Sequence, residues 1–192
     1  MAAVLETARL RLRRIGPDDV EALARIFTDP EVMRYVGAGR PLSPDEVAAM
    51  VERIEHRFQA DGFGQLAVER REDGEVIGRV GLLPLDPETW RSDSRAAIGH
   101  HAEIEIGWTL ARDAWGHGYA FEAASAVIEH ARTELGLGRL VSIIQHGNAA
   151  SIRLAQRLGA RHERDIVTSF GKAAHLYASG LDSRPWPRAM PG

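Results

Sequence analysis

The chain has 192 residues, of which 44% are hydrophobic and 27% charged, so it is long enough to bury the core of one compact domain. Its 24 basic and 27 acidic residues give a net charge of -3, which offers no general attraction for nucleic acid or for an anionic membrane surface. It contains no cysteine, and this excludes disulfides, thiolate metal sites and cysteine nucleophiles. No apolar run reaches the roughly 20 residues of a membrane helix. We therefore expect a cytoplasmic protein with neither a nucleic-acid nor a membrane partner.

The N-terminal part of the chain predicts a strand followed by two helices. Residues 9–15 alternate apolar and basic side chains, as a half-buried strand does. Gly16-Pro17-Asp18 is a helix start signal, and Pro30 should close that helix. Ser43-Pro44-Asp45-Glu46 is a capping box with proline in the first turn, and the helix that it begins should end near Gly62.

The next segment predicts an antiparallel strand pair and a long loop. Residues 65–69 and 75–83 have strand patterns, and the Asp73-Gly74 pair between them should supply the positive backbone angles of a hairpin turn. Residues 84–101 show no clear period and predict a loop.

The C-terminal part changes to alternating strands and helices. A strand at 103–110, a helix with an apolar face from Phe121 to Leu135, a strand at 140–144 and a helix ending at Gly159 predict a parallel crossover unit. Two closing strands follow, at 160–168 and 174–179. The fold class is therefore α/β: a single domain over residues 1–183 with a mixed central sheet, antiparallel N-terminal strands, a parallel central crossover and helices on both faces. Residues 184–192 should form a disordered tail.

A glycine-rich turn, Trp115-Gly116-His117-Gly118-Tyr119-Ala120, lies between a predicted strand and a helix N-terminus. Glycines let backbone N–H groups converge on an anion there, and the helix dipole favours a negative charge, so a phosphate or pyrophosphate fits. A P-loop would need Lys and then Ser or Thr after the second glycine, and Tyr119-Ala120 excludes it. A dinucleotide fingerprint needs a third glycine where Phe121 stands. A plain helix cap without a ligand is the remaining alternative.

Two carboxylates on the strand before this turn are candidates for a general base. Glu103 and Glu105 are two residues apart and so point to the same face, together with Thr109. Two like charges in one cleft would raise at least one pKa towards neutrality. A solvated strand face without catalytic role is the alternative. A tetrahedral oxyanion would meet a backbone N–H around Gly107 or Trp108.

Three further features have simpler interpretations beside a functional one. Asn148 should cap the helix that follows it. Ser151 could donate a proton to a leaving thiolate, although a serine in a first helical turn more often bonds locally. His100-His101 does not form a metal site, because adjacent strand residues point to opposite faces, and we expect no metal.

Five motifs occur in an order that is familiar from one enzyme superfamily. They are Arg9-Leu10-Arg11-Leu12-Arg13, Asp29-Pro30-Glu31-Val32-Met33-Arg34-Tyr35, Glu105-Ile106-Gly107-Trp108, the glycine-rich turn, and Asn148-Ala149-Ala150-Ser151 before Leu158-Gly159-Ala160. Over about residues 5–178 the chain resembles the GNAT superfamily of acyl-CoA-dependent N-acyltransferases, and within it the RimJ/RimL-like N-terminal protein acetyltransferases.

The resemblance implies a donor, an acceptor and a set of site residues. Acetyl-CoA would be the co-substrate, with its pyrophosphate on turn amides and its pantetheine arm along the strand, and the acceptor would be an amine of a protein N-terminus or of a small molecule. Catalysis would rest on Glu105 or Glu103 and on Ser151. Tyr35 and Trp90 would lie near the acceptor. The donor would contact Ile106, Gly107, Trp108, Thr109, Trp115, Gly116, His117, Gly118, Tyr119, Ala120, Phe121, Asn148 and Ser151.

Two departures from the superfamily pattern leave alternatives open. Trp115 stands where the phosphate turn usually starts with Gln or Arg, which points to binding through the backbone. Ala155 stands where many relatives carry a tyrosine that protonates the thiolate. A non-catalytic acyl-CoA-binding or regulatory module is therefore one alternative, and a nicotinamide-dependent oxidoreductase is another. The oligomeric state stays open, homodimers being the commonest oligomers.

Overall fold

The computed structural model describes residues 5–181, which form one mixed eight-stranded sheet with helices packed on both faces. The strands are β1 (Leu5–Glu6), β2 (Leu10–Arg14), β3 (Gln65–Arg70), β4 (Val76–Leu85), β5 (Glu103–Leu110), β6 (Arg139–Gln145), β7 (Arg161–Val167) and β8 (Ala173–Gly180). The α-helices are α1 (Val20–Phe27), α2 (Pro30–Met33), α3 (Pro44–Asp61), α4 (Arg95–Ile98), α5 (Tyr119–Thr133) and α6 (Ala149–Arg157). The predicted α/β domain is confirmed. The expected tail at 184–192 lies outside the described residues.

The sheet contains one parallel pair at its centre. Its strand order is β1-β2-β3-β4-β5-β6-β8-β7, and every described neighbouring pair except β5 with β6 is antiparallel. The chain passes from β5 to β6 through α5, which confirms the predicted crossover unit. β4 pairs with β5 from Gly78 to Leu85, whereas β5 and β6 are in register at a single pair, Glu105 with Val141.

Side chains replace the backbone ladder beside that single pair. The Ser142 hydroxyl donates to the carbonyl oxygen of Ile106 at 2.9 Å. The N–H of Ile143 donates to the Glu105 carboxylate at 3.3 Å. Side chains therefore satisfy two of the backbone groups that the interrupted ladder at the centre of the sheet would otherwise leave unpaired.

Two apolar clusters hold the helices against the sheet. On one face, α5 packs Ala124 against strand residues such as Ile106. On the other face, α1 and α3 pack Phe27 and Val51 against Ala67. Since side chains alternate along a strand, the positions of β5 next to Ile106 point to the α1–α3 face.

The start and end of α3 follow its local sequence. The Ser43 hydroxyl accepts from the N–H of Glu46 at 3.2 Å, and the Glu46 carboxylate accepts from the N–H of Ser43 at 2.8 Å. The helix ends at Gly62, whose φ of 75° suits glycine. The predicted capping box and helix end are confirmed.

Three local predictions are corrected by the structure. Pro30 does not close α1, which ends at Phe27; it opens α2, and the Asp29 carboxylate caps that helix by accepting from the N–H of Glu31 at 2.8 Å. Proline suits a first helical position because it lacks the N–H that would be unpaired there.

The hairpin between β3 and β4 has a five-residue loop at 71–75, and only its Gly74 has a positive φ, of 76°. The N–H of Gly74 donates to the carbonyl oxygen of Arg70 at 2.8 Å, so one left-handed residue is sufficient and Asp73 needs no positive angle. The predicted loop at 84–101 is interrupted by the end of β4 and by α4, two elements too short to show a period. Among residues 5–181, no helix has both the length and the hydropathy that crossing a bilayer requires.

Gly78 on β4 provides a test of the close contact between β4 and β5. A Cβ at this position would overlap the carbonyl oxygen of Thr109, so we expect Gly78→Ala to lower the free energy of unfolding by roughly 1–3 kcal/mol. Gly180→Ala in β8 is the matched control, because its added methyl group would meet no described atom within 4 Å. Urea denaturation of both variants measures the difference. Equal decreases in the free energy of unfolding of the two variants would contradict the close contact between β4 and β5.

Candidate active site

A cavity of about 800 Å³ opens on the α1–α3 face of the sheet, where β4, β5 and β6 meet. Its floor includes Arg79 of β4 and Glu105 of β5, and one wall is formed by the face of α3 that carries Met50 and Arg53. A volume of this size suits a small molecule. The centre of the sheet is therefore accessible to a ligand at the position where its ladder is interrupted.

Glu105 lies in this floor as a half-buried side chain. Burial raises the pKa of its carboxyl group from the ordinary 4.5 to about 7, against the opposing effects of the Ile143 N–H and the positive charge of Arg79. Next to it, a Cβ on Gly107 would lie 3.9 Å from the Glu105 carboxyl carbon, so the glycine leaves space beside the acid. A group with this pKa can take and release a proton near neutral pH.

Glu103 has a different environment. Its carboxylate pairs with Arg139 at 3.1 Å, and Arg139 also pairs with Glu163 at 2.8 Å. Glu103 does not line the cavity. The predicted same-face arrangement holds, but the causes of the raised pKa of Glu105 do not include the charge of Glu103.

The rest of β5 and the start of α6 form the adjoining wall. Ile106, Gly107, Trp108 and Thr109 all line the cavity, and so do Asn148 and Ser151. These residues, which are predicted to contact acetyl-CoA, therefore line the same cavity as Glu105.

Asn148 caps α6, as predicted: its side-chain oxygen accepts from the N–H of Ser151 at 3.2 Å. The indole N–H of Trp108 donates to the Ser151 hydroxyl at 3.2 Å. Among residues 5–181, no acceptor is found for the hydroxyl hydrogen of Ser151. That hydrogen is free to be donated into the cavity.

The glycine-rich turn lies beyond the C-terminal end of β5 and outside the cavity lining. Gly116 and Gly118 both have a φ of 79°, and Gly118 is the N-cap of α5. In the part of the chain that the structure describes, nothing accepts a hydrogen bond from the N–H groups of Gly116, His117 or Gly118. Open space lies beside Gly116. The turn thus presents free backbone donors at a helix N-terminus.

Side chains fix the outer side of this turn. The Trp115 indole N–H donates to the carbonyl oxygen of Leu110 at 3.0 Å, although 48% of Trp115 is exposed. Arg9 donates to the carbonyl oxygen of His117 at 3.0 Å, pairs with Glu122 at 2.7 Å and lies 4.6 Å from the centre of the Tyr119 ring. The support by Arg9 was not predicted, because it joins residues more than 100 positions apart.

Three residues outside the main motifs lie either in the cavity lining or in the core. Tyr35 and Trp90 line the cavity, and Trp90 has a positive φ of 55°, which is strained for a residue with a side chain. Ala155 is buried against Ile144 and Tyr177, so it presents no proton donor to the cavity.

Sequence reasoning missed the arginines of the cavity lining, which are Arg40, Arg53, Arg57, Arg79 and Arg91. Arg53 and Arg57 share one face of α3 with Met50, at spacings of three, four and seven residues. Charged residues within the otherwise apolar face of a helix were the available signal.

A histidine cluster on β7, β8 and the loop after β6 was also missed. Asp165 Oδ1 lies 2.7 Å from His175 Nδ1, 2.9 Å from His162 Nε2 and 3.8 Å from His146 Nε2. The two shorter contacts lower the pKa of Asp165. Hydrogen bonds account for this arrangement, and we assign no metal to it.

The carboxyl group of Glu105 should be detectable by its titration. We expect a carboxyl signal that titrates near pH 7 in the ¹³C NMR spectrum of glutamate-labelled protein, because burial disfavours the charged form. It should be absent from Glu105→Gln. Arg79→Met should move its pKa further upward, since the positive charge of Arg79 lowers it. A signal in the ordinary range of exposed glutamates would refute this environment.

Comparisons with known proteins identify the family of the chain. The family model of the acetyltransferase (GNAT) domain matches residues 9–161. The uncharacterized N-acetyltransferase YoaA of Bacillus subtilis (strain 168) is 31% identical over 163 residues, which cover 85% of each chain. The acetyltransferase structure from Agrobacterium tumefaciens str. C58 is 28% identical with a TM-score of 0.74, covering 92% of this chain and 94% of that one.

RimL, a ribosomal L7/L12 alpha-N-protein acetyltransferase, shares the fold at a TM-score of 0.74 and 17% identity, covering 94% of this chain and 95% of that one. The family match spans most of the chain, and it includes β5, the glycine-rich turn and α6. The chain belongs to the GNAT family and is an N-acetyltransferase.

Proposed function

We propose that this enzyme transfers an acetyl group from acetyl-CoA directly to a primary amine, with Glu105 as the base. GNAT enzymes use acetyl-CoA. The observation that carries the proposal is the position of the Glu105 carboxylate, in the cavity floor at the single β5–β6 pair and beside the space left by Gly107. A cytoplasmic location and a homodimer remain part of the proposal.

The donor would extend from the glycine-rich turn to this floor. The free N–H groups of Gly116, His117 and Gly118, with those of Tyr119, Ala120 and Phe121 in the first turn of α5, would hold the pyrophosphate. The pantetheine arm would follow β5 along Ile106 to Thr109, where β6 makes no continuous ladder with that strand. Asn148 and Ser151 at the start of α6 would contact the arm from its other side.

The transfer begins with deprotonation of the amine, since an alkylammonium cannot attack a thioester. Glu105 takes the proton, directly or through one water, and the amine nitrogen bonds to the acetyl carbon. A backbone N–H at Gly107 or Trp108 would stabilise the oxyanion that forms. The nitrogen, which is positively charged after the attack, then loses its second proton to solvent as the C–S bond breaks, so that a neutral amide forms. Glu105 afterwards releases its own proton to solvent.

Ser151 would supply a proton to the departing thiolate. Because the Trp108 indole already donates to its oxygen, the Ser151 hydroxyl is oriented with its own hydrogen free. Solvent then replaces the serine proton. Ser151 would thereby take over a role that Ala155 cannot fill.

The acceptor is a primary amine of a protein N-terminus or of a small molecule. The likeness to RimL supports the first class through the fold only. The cavity of about 800 Å³ supports the second. A non-catalytic acyl-CoA-binding module is the alternative, and it would bind the donor without transferring the acetyl group.

Donor binding can be tested without an acceptor. Acetyl-CoA at 100 times its dissociation constant adds about 2.7 kcal/mol to the free energy of unfolding and should raise the melting temperature by several degrees. CoA should act similarly, and NAD and ATP should not. Gly116→Ala should raise the dissociation constant of acetyl-CoA at least tenfold, because its methyl group would fill the open side of the turn.

Gly136→Ala is the matched control for that variant, because Gly136 also has a positive φ with open space around it, but lies after α5. Stabilisation by NAD and not by CoA would instead indicate a dinucleotide site.

The role of Glu105 can be tested by kinetics. Glu105→Gln should reduce kcat roughly 10²–10⁴-fold, the usual contribution of a general base, while the dissociation constant of acetyl-CoA stays the same. In the parent enzyme kcat/KM should fall as pH drops below about 7, where Glu105 becomes protonated. The Glu105→Gln variant should lack this fall of kcat/KM with pH. Glu103→Gln is the comparison. If the pH-dependent fall of kcat/KM disappears in Glu103→Gln and not in Glu105→Gln, the base is Glu103.

A further inference from the structure

The cavity has an unusual charge balance. Its lining contains five arginines and two glutamates, and among the described residues it contains no lysine, aspartate or histidine. With Glu105 ionised the lining carries an excess of three positive charges, although the chain as a whole has a net charge of -3. The positive charge is therefore concentrated in the cavity.

Two of the arginines have their side chains occupied by the protein. Arg40 forms a double hydrogen bond with Glu46, at 2.9 and 2.5 Å. Arg79 donates to the Gln65 side-chain oxygen at 2.9 Å and lies 4.5 Å from the centre of the Phe27 ring. These two side chains have fixed positions.

Three arginines keep donors available. Arg57 gives one hydrogen bond, to the carbonyl oxygen of Ser92 at 3.0 Å. The side chains of Arg53 and Arg91 make no hydrogen bond or ion pair with any residue in 5–181. Arg53 and Arg57 project from successive turns of α3, and Arg91 comes from the loop after β4.

These charges act on one another. Burial lowers the pKa of Arg79 to about 10, and the charges of Arg53 and Arg57 add to that effect. Burial also lowers the pKa of Arg57, again with the charge of Arg53 acting in the same direction. Like charges held together in this way repel one another, and a bound anion would relieve the repulsion.

The arginines are separated from the proposed phosphate site. α3 packs on one face of the sheet, whereas α5, whose N-terminus carries the glycine-rich turn, packs on the other. The donor would reach the β5–β6 junction from the α5 side, and the acceptor would approach Glu105 from the α3 side. The arginines therefore belong to the acceptor side.

We propose that the acceptor is a small primary amine that also carries a carboxylate or phosphate group, which Arg53, Arg57 and Arg91 bind while the amine lies at Glu105. The proposal rests on the proposed acetyl transfer and names its substrate class. The planar guanidinium group matches either anion through paired N–H donors. Polyamines and aminoglycoside-like amines are disfavoured, because their charges repel the same arginines.

The test uses matched pairs of amines. Calorimetry measures the binding of each amine to the CoA-loaded enzyme, and a separate assay measures acetylation as the release of CoA from acetyl-CoA. The pairs are β-alanine with β-alaninamide and phosphoethanolamine with ethanolamine, and they separate the carboxylate from the phosphate. Spermidine and a peptide with acidic residues after its N-terminus complete the panel. At least one anionic small amine should bind tenfold or more tightly than its neutral partner, and added salt should reduce the difference.

Variants identify the residues responsible. Arg53→Gln combined with Arg91→Gln should reduce that preference to threefold or less by raising the KM of the acceptor, with the KM of acetyl-CoA unchanged. Arg95→Gln is the control, because Arg95 is exposed on α4 and does not line the cavity. It should keep the full preference.

Several outcomes would overturn the substrate class. These are tighter binding of spermidine or of the neutral partners, binding of the acidic peptide alone, and a preference that survives in the double variant. A raised KM for acetyl-CoA in the double variant would assign the arginines to the donor. If anionic amines bind selectively but no CoA is released from any amine, acetyl transfer fails while the anion site stands.

Discussion

The interrupted ladder between β5 and β6 is the constraint on which the site depends. β5 and β6 are in register at only one pair, Glu105 with Val141. The other backbone groups on their facing edges therefore need hydrogen-bond partners outside this ladder. Ser142 and Glu105 provide two of these partners from side chains. The interruption therefore exposes an edge of β5 in the centre of the sheet, and it also determines the position of the Glu105 carboxylate.

Burial and charge then act on that carboxylate in opposite directions. Removal from water favours its neutral form, and the positive charge of Arg79 on the neighbouring strand favours its ionised form. The balance leaves the group between the two states near neutral pH. Glu103, only two residues away on the same face, pairs instead with Arg139 near the surface. Two identical side chains on one strand thus acquire different chemistry from the elements that pack over them.

Much of the fold could be predicted because its signals are local. The capping box at Ser43 and the glycine at 62 act within single turns of chain, and the strand at 103–110 has the bounds expected of it. The residues of β5 and α6 that line the cavity were equally accessible to prediction, because each of their motifs lies within a few residues of sequence. By contrast, the alternation of β5 points Glu103 and Glu105 to the same face, and the groups that distinguish them come from other strands. Arg139 of β6 pairs with Glu103, whereas Ile143 of β6 and Arg79 of β4 act on Glu105.

The charged lining of the cavity could not be predicted for the same reason, because its residues come from distant parts of the chain. Arg53 and Arg57 come from α3, Arg79 from β4 and Arg91 from a loop, and these elements meet only when the sheet has formed. Local prediction also failed at Pro30 and Asp73, since a helix of four residues and a loop of five residues are too short for any period to appear.

The raised pKa of Glu105 also links the stability of the fold to proton uptake. In the unfolded chain this carboxyl group ionises near 4.5, whereas in the folded chain it keeps its proton until about pH 7. Between these two values the folded state binds more protons than the unfolded state, so the contribution of Glu105 to the free energy of unfolding falls as pH rises and levels off above about 7. The ionised form that can accept a proton from an amine is therefore the form in which this residue destabilises the protein.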